Sequence, residues 1–170
     1  GPFGLPAHRF RGVAWVNPED YMREAIAMAQ LAPDAPFGAV IVRRDSGDIL
    51  ARGFNRAGVS PLLHGEIDAI NRCHAGYPDI DWRSLDLYST AEPCPMCQGA
   101  IEWAGLGAVY FGSSIPFLAL LGWPQIKVRA EEISRKNTRG GASIIGGILE
   151  RECDELFRRA IAARGGALSL

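Results

Sequence analysis

Two short motifs in the chain carry residue types that bind metal ions and move protons. The first, at residues 64–66, reads His-Gly-Glu, and the second, at residues 93–97, reads Pro-Cys-Pro-Met-Cys. Cysteines three positions apart lie one turn apart on an α-helix, so both sulfurs can face one point. The start of a helix also lowers the cost of holding a thiolate in its ionised form. His64, Cys94 and Cys97 therefore form a candidate three-ligand site for a Zn²⁺ ion.

The number of protein ligands separates a structural zinc site from a catalytic one. Structural sites use four protein ligands, whereas catalytic sites use three and leave one position for water. Cys73 and His74 lie too far from His64 on the same helix to supply a fourth ligand, at about 14 Å for a rise of ~1.5 Å per residue. Asp68, one turn after His64, is the one candidate for a fourth ligand. If it does not bind the metal, we expect its carboxylate to be solvated or to lie next to the metal ligands. We predict a catalytic site with an open position.

Glu66 lies two positions from the histidine ligand, close enough to reach the vicinity of the metal without binding it. Zinc lowers the pKa of water to about 7, and a free carboxylate beside that water can shuttle protons. A C-x-x-C pair alone is also compatible with thiol redox chemistry or with half of a structural zinc site. Because a non-catalytic zinc module has no need of the carboxylate, we predict that Glu66 is the catalytic proton shuttle.

The length of 170 residues is typical of one domain, and we predict a single domain over residues 1–170. Residues 1–16 are expected to be extended or to derive in part from an expression tag, and a terminal helix is predicted at 148–164. No apolar stretch approaches the ~20 residues of a membrane helix, and no secretion signal is evident. We therefore predict a cytoplasmic protein whose four cysteines are thiols.

Hydrophobic periodicity and capping residues predict alternating strands and helices. Asn17 and Pro18 are typical of a helix start, and a polar turn joins two β-type runs as a hairpin. The order favours a layered α/β fold whose sheet has parallel members. The segment 113–123 is apolar and receives no assignment. The predicted elements are helices at 18–32, 64–73 and 94–104 and strands at 37–42, 49–54, 85–89 and 108–111.

The two motifs, in this order, resemble the H-x-E…P-C-x-x-C signature of the zinc deaminase superfamily, which acts on cytidine, cytosine, guanine and tRNA adenosine. The resemblance extends over residues 36–111 and includes Pro36–Val40, Gly53–Arg56 and Leu87–Thr90. It implies a three-layer α/β/α fold with a central mixed sheet and both motif helices on one face. It also implies a bound zinc and a homodimer or larger assembly.

The same resemblance implies a hydrolytic deamination in which Glu66 moves the protons and the amino group leaves as ammonia. Asn55, Gly65, Phe37 and Trp103 are then expected to bind the substrate. Gly65 resembles the glycine of fungal cytosine deaminases, and the stretch around Trp103 resembles guanine deaminases. We predict a free nucleobase or nucleoside substrate that is guanine-like or cytosine-like.

The charge distribution bears on whether the substrate is a nucleic acid. Residues 61–122 carry two arginines against seven acids, so this stretch repels a phosphate backbone. The basic cluster at 127–139 is interpreted as a solvated face. We therefore predict a small-molecule substrate, with no nucleic-acid partner and no membrane partner. A tRNA adenosine-to-inosine deaminase is the first alternative, and a non-catalytic zinc-binding module of the same fold is the second.

Overall fold

A five-stranded sheet lies at the centre of the computed structural model, which describes residues 9–10, 13–14 and 17–165. The strands are β1 (Arg9–Phe10), β2 (Val13–Ala14), β3 (Gly38–Arg43), β4 (Ile49–Phe54), β5 (Leu85–Ala91), β6 (Ala108–Ser113) and β7 (Ser143–Ile145). The central sheet has the order β4-β3-β5-β6-β7. β3 is antiparallel to β4 and β5, whereas β5, β6 and β7 are parallel, which confirms the predicted hairpin and mixed sheet.

Helices cover both faces of this sheet. They are α1 (Pro18–Ala29), α2 (Gly65–Gly76), α3 (Pro95–Ala104), α4 (Ile115–Leu120), α5 (Ala130–Arg135) and α6 (Glu150–Ala163), with a 3₁₀ turn at Trp82–Ser84. Side chains alternate between the faces along a strand. In β3, Ala39 and Ile41 pack with α2 and α3, while Val40 and Val42 pack with α1 and α6. The fold is therefore α/β with three layers and both motif helices on one face, as predicted.

The structure differs from the predicted elements at several element ends, in the segment 113–123, and at α5 and β7, which were not predicted. α1 begins as predicted, because the Asn17 and Asp20 side chains and backbones cap each other reciprocally. It ends three residues earlier than predicted, since the chain tightens into a turn in which the Ala32 N–H bonds the Ala29 carbonyl. The unassigned segment 113–123 contains the end of β6 and the short helix α4. α6 covers Glu150–Ala163 where 148–164 was predicted.

The N-terminal stretch is described only at β1 and β2, which pair with each other as a short antiparallel ribbon. The predicted tag origin of the first residues lies outside the described ranges. In the described part of the chain, every helix is too short or too polar to cross a membrane.

Close helix–sheet contacts place α2 relative to the hairpin. A Cβ atom added to Gly53 on β4 would lie 2.4 Å from the Ala69 nitrogen and 2.5 Å from the Gly65 carbonyl oxygen. Only a residue without a side chain permits this approach. The start of α2, which follows the histidine of the first motif, is thereby seated against the end of β4.

Candidate metal centre and active site

The three candidate ligands meet at one edge of the sheet because each lies at the start of a motif helix. His64 is the N-cap of α2 and Cys94 is the N-cap of α3, with Cys97 in the first turn of that helix. The Nδ1 atom of His64 lies 3.6 Å from the Sγ atoms of both cysteines. Within the described residues, these three make up a group whose ligand atoms all lie within 4.8 Å of one another.

The separations fit a tetrahedral zinc ion. Bonds of ~2.3 Å to sulfur and ~2.1 Å to nitrogen at a tetrahedral angle put the two ligand atoms about 3.6 Å apart. Both nitrogen–sulfur distances have this value. The donor set of one imidazole and two sulfurs is one that zinc accepts, so the residues present fit the predicted metal.

Hydrogen bonding among the ligands favours a thiolate. The neighbouring Cys97 thiol and, after it, His64 lower the pKa of Cys94 to about 4. The same pairing, together with burial, raises the pKa of Cys97. The hydrogen bond to Cys94 raises the pKa of His64. The surroundings of Cys94 therefore favour its thiolate form, and a thiolate favours the binding of a cation.

Glu66 lies in the first turn of α2, buried to 3% exposure and outside the ligand group. Its Oε1 atom accepts a hydrogen bond of 2.7 Å from the Ser89 hydroxyl, which is completely buried on β5. Burial raises the pKa of the Glu66 carboxyl group. Ser89 was missed by sequence reasoning. A serine inside a strand that is buried on both faces is the signal that could have found it.

Asp68 does not supply a fourth ligand. Its carboxylate accepts hydrogen bonds from the Phe54 backbone N–H and from the side chains of Arg56 and Arg72. These donors occupy it on the side of the helix that faces β4. The competing-ligand hypothesis is wrong, because the carboxylate is already engaged and lies outside the ligand group.

Three of the four predicted substrate-binding residues come together beside the metal ligands. The Phe37 carbonyl oxygen accepts a hydrogen bond of 2.9 Å from the Asn55 N–H, and a Cβ atom at Gly65 would lie 2.7 Å from the same oxygen. Close packing thus accounts for the glycine. The Phe37 ring is partly buried and packs against Trp123 and Phe157, with ring centroids 5.6 and 4.9 Å away. The binding roles of all three remain predictions.

Trp103 lies elsewhere. It is nine residues after Cys94, which is about 13 Å along α3. Its side chain is 78% exposed, with the Arg139 guanidinium 5.4 Å from the ring centroid. The structure does not bring Trp103 together with the other site residues of its own chain, so its predicted role in the pocket gains no support from this geometry.

Glu92, directly before the second motif, links the end of β5 to two helices through hydrogen bonds. Sequence reasoning also missed this residue. Its side chain is 1% exposed. It accepts hydrogen bonds of 2.9 Å from the Ile115 and Ala130 N–H groups, which open α4 and α5, and of 3.0 Å from Arg129 Nε. One carboxylate thereby satisfies donors at two helix starts.

Replacing Glu92 by glutamine is expected to lower the free energy of unfolding by about 3 kcal/mol, because one helix-start N–H and the half-exposed Arg129 guanidinium lose the buried charged acceptor. Urea denaturation of the zinc-loaded protein measures the change. The matched control is Glu132→Gln, which breaks an exposed pair with Lys136 and is expected to change stability by less than about 0.5 kcal/mol. Equal effects of the two substitutions would contradict the structural role of Glu92.

Comparison with known proteins identifies the family to which these features belong. Residues 16–113 match the model of the cytidine and deoxycytidylate deaminase zinc-binding region. The match covers more than half of the chain and includes both motifs. The chain therefore belongs to the zinc-binding deaminase family.

Curated relatives act on different substrates. The guanine deaminase of Bacillus subtilis is 36% identical over 104 residues, which are 58% of this chain and 65% of that protein. The chain thus spans just under two thirds of this relative. A probable cytosine deaminase of Schizosaccharomyces pombe is 31% identical over 78% of this chain and 85% of its own length. A tRNA-specific adenosine deaminase of Bacillus subtilis is 31% identical over 79% of this chain and 83% of its own length.

Among solved structures, the guanine deaminase of Nitrosomonas europaea has a similar fold. The two structures superpose with a TM-score of 0.77 at 26% sequence identity, over 86% of each chain. The similarity extends well beyond the motif region and agrees with the three-layer architecture described above.

Proposed function

We propose that this protein is a zinc-dependent hydrolytic deaminase of a small nitrogen heterocycle, a guanine-like or cytosine-like free base or nucleoside, and that it releases ammonia. One observation carries the proposal: three ligand atoms at zinc-binding separations lie beside a buried carboxylate that does not join them. A purely structural site would use a fourth protein ligand and would not need Glu66.

The chain's own residues divide the chemistry between them. His64 Nδ1 and the sulfurs of Cys94 and Cys97 would hold the metal. When bound there, zinc supplies a Lewis acid that lowers the pKa of water and so yields a nucleophile at neutral pH. Glu66, held by the Ser89 hydroxyl, accepts a proton as water adds to the ring carbon that bears the amino group. It then delivers a proton to the departing amino nitrogen, leaving a carbonyl and ammonia.

In this proposal, Asn55 and Phe37 orient the heterocycle. Asn55 donates a hydrogen bond to the ring through its amide. The Phe37 ring, fixed by its contacts with Trp123 and Phe157, offers an apolar wall at the same edge of the sheet. Both roles rest on proximity to the metal ligands through the shared Phe37 carbonyl.

Deamination of tRNA adenosine is the second candidate, and the tRNA-specific relatives favour it. The charges of the basic cluster favour a small molecule instead. Three of its five cations have partners: Arg129 is engaged with buried Glu92, Lys136 lies 3.6 Å from Glu132, and Arg139 lies over the Trp103 ring. Cations that are paired within the chain contribute less to phosphate binding.

An ammonia-release screen tests the proposal. Cytosine, guanine, adenine and their nucleosides are incubated with zinc-loaded protein, and a defined tRNA is assayed for inosine in parallel. We expect turnover of at least one free base or nucleoside. Inosine in the tRNA without turnover of small substrates would replace the proposal by the second candidate. A zinc-loaded protein inactive on every substrate would support a non-catalytic zinc module.

We further propose a cytoplasmic homodimer. Support comes from large apolar side chains that a monomer leaves in water, among them Trp103, Leu120 and Ile126. The cysteine ligands also require a compartment that keeps thiols reduced. Light scattering of the zinc-loaded protein at micromolar concentration tests the assembly, and a mass of one chain would contradict it.

A further inference from the structure

A carboxylate that no step of the proposed reaction uses lies one helical turn beyond His64. The Asp68 side chain is 1% exposed and accepts three hydrogen bonds. The donors are the Phe54 backbone N–H at 3.1 Å, Arg56 Nη2 at 2.5 Å and Arg72 Nε at 3.1 Å. Donors from the chain itself take three of the roughly four lone-pair sites of this carboxylate, which also lies outside the group of candidate metal ligands. Its effect on the site must therefore pass through the groups that it holds.

Two of those groups are the immediate neighbours of Asn55 in the chain. The buried carboxylate fixes the Phe54 backbone on one side and the Arg56 side chain on the other. The Asn55 N–H bonds the Phe37 carbonyl oxygen, and the Arg56 N–H bonds the Leu63 carbonyl oxygen, both at 2.9 Å. Residues 54–56 are thus fastened to α2, to the start of β3 and to the residue that precedes the histidine ligand.

This arrangement orients the Asn55 side chain and leaves its amide N–H groups available as donors. Its Oδ1 atom accepts a hydrogen bond of 3.2 Å from the Ala57 N–H, which orients the amide plane. Its Nδ2 atom hydrogen-bonds to none of the residues in the described ranges, so two N–H donors remain for an acceptor on a bound heterocycle.

We infer that Asp68 is a positioning residue that fixes Asn55 relative to His64 and thereby raises the affinity for the heterocycle. The inference rests on the proposed deaminase function. Asp68 lies on the helix that begins at His64. One helix therefore carries both the candidate metal ligand and the carboxylate that holds the neighbours of Asn55. Displacement of a recognition group by about 1 Å is enough to weaken catalysis strongly.

The substitution Asp68→Asn tests the inference, because it removes the charge that holds both guanidinium groups while keeping the shape of the side chain. We expect KM for the turned-over substrate to rise about tenfold, with kcat changed by less than about twofold and one zinc per chain retained. In an Asn55→Ala background, the same substitution is expected to change KM by less than about twofold, since no amide remains to be positioned. Equal effects in the two backgrounds would overturn the inference.

A second pair of variants keeps the test valid if Asp68→Asn fails to fold. Arg56→Gln cuts the link to residue 56, whereas Arg72→Gln removes a guanidinium from the same carboxylate without touching residues 54–56. We expect Arg56→Gln to raise KM severalfold and Arg72→Gln to leave it within about twofold. An equal rise in both would assign the effect to charge or helix stability and overturn the positioning role.

Amide hydrogen exchange gives a readout that does not depend on turnover. We expect exchange at residues 54–56 to accelerate about tenfold in Asp68→Asn or Arg56→Gln and to stay unchanged in Arg72→Gln. Unchanged exchange in all three variants overturns the inference. If the zinc-loaded wild-type protein turns over no substrate, the proposed function is refuted, and so is the proposed effect of Asp68 on the affinity for the heterocycle. If the wild-type protein is active but the changes in KM caused by Asp68→Asn and Asn55→Ala are additive, only the positioning role of Asp68 is refuted.

Discussion

Replacing Glu66 by glutamine is expected to reduce ammonia release by about a thousandfold or more while leaving one zinc per chain. The amide keeps the volume of the carboxyl group and a partner for the Ser89 hydroxyl, so the buried site stays packed. It cannot accept the proton of the attacking water or deliver one to the leaving amino group. Proton transfer by a positioned side chain contributes roughly 10²- to 10⁴-fold, and both transfers use this residue. Single-turnover ammonia release, with zinc measured on the same sample, checks the result.

Glu24→Gln is the matched control for this substitution. It replaces a half-exposed carboxylate on the opposite face of the sheet, where the partner is Arg52 at 3.5 Å, and is expected to leave the rate unchanged. A Glu66→Gln protein that retains its zinc and more than about a tenth of the wild-type rate would contradict the role of Glu66 as proton shuttle.

Replacing Cys97 by serine is expected to abolish stoichiometric zinc binding and, with it, ammonia release. The sulfur is completely buried and lies 3.6 Å from His64 Nδ1, and a neutral hydroxyl is a much poorer zinc ligand than a thiolate. Because the binding free energy of a metal also stabilises the folded state, the melting temperature of the zinc-loaded protein should fall as well. Zinc analysis after dialysis and a thermal shift with and without added zinc measure both effects.

Cys73→Ser provides the comparison, since Cys73 is equally buried and lies on the helix that follows His64, yet belongs to no ligand group in the described residues. It is expected to lose stability through burial of a hydroxyl while keeping one zinc per chain. Loss of zinc from Cys73→Ser, or its retention by Cys97→Ser, would contradict the ligand assignment.

The grouping of the three candidate metal ligands could be predicted from the sequence because local geometry fixes it. Cys94 and Cys97 lie at the start of one helix and His64 at the start of another, so their side chains need only the two helix starts to meet. Parallel strands followed by helices bring such starts to one edge of a sheet, which is where ligands bind in open α/β folds. The alternation of elements therefore predicted the layers, whereas the position of the candidate site at one edge of the sheet was not predicted.

Ser89 and Glu92 could not be predicted in the same way, because their partners are distant in sequence. Ser89 bonds a carboxylate 23 residues away, and Glu92 bonds the N–H groups of residues 23 and 38 positions further along the chain. Nothing in the local sequence states that these groups become neighbours. Only the tertiary fold reveals that both residues support the metal-binding edge.

The helical phase of α3 bears on the predicted role of Trp103, which came from a local resemblance and stays a prediction. Gln98 and Ile101 mark the buried side of α3, and Trp103 lies two positions after Ile101, about 200° around the helix axis. The helical phase therefore places the tryptophan on the solvent side.

The segment that contains α4 escaped prediction for another reason, since a helix of six apolar-rich residues is too short to display a period.

A crystal structure of the zinc-loaded protein, with anomalous data collected at the zinc edge, tests the central claim most directly. We expect one ion bonded to His64 Nδ1 and to the sulfurs of Cys94 and Cys97, with a non-protein group in the fourth position and the Glu66 carboxylate unbonded to the metal. A fourth side chain on the ion, or crystals grown with zinc that hold no ion at these residues, would contradict it.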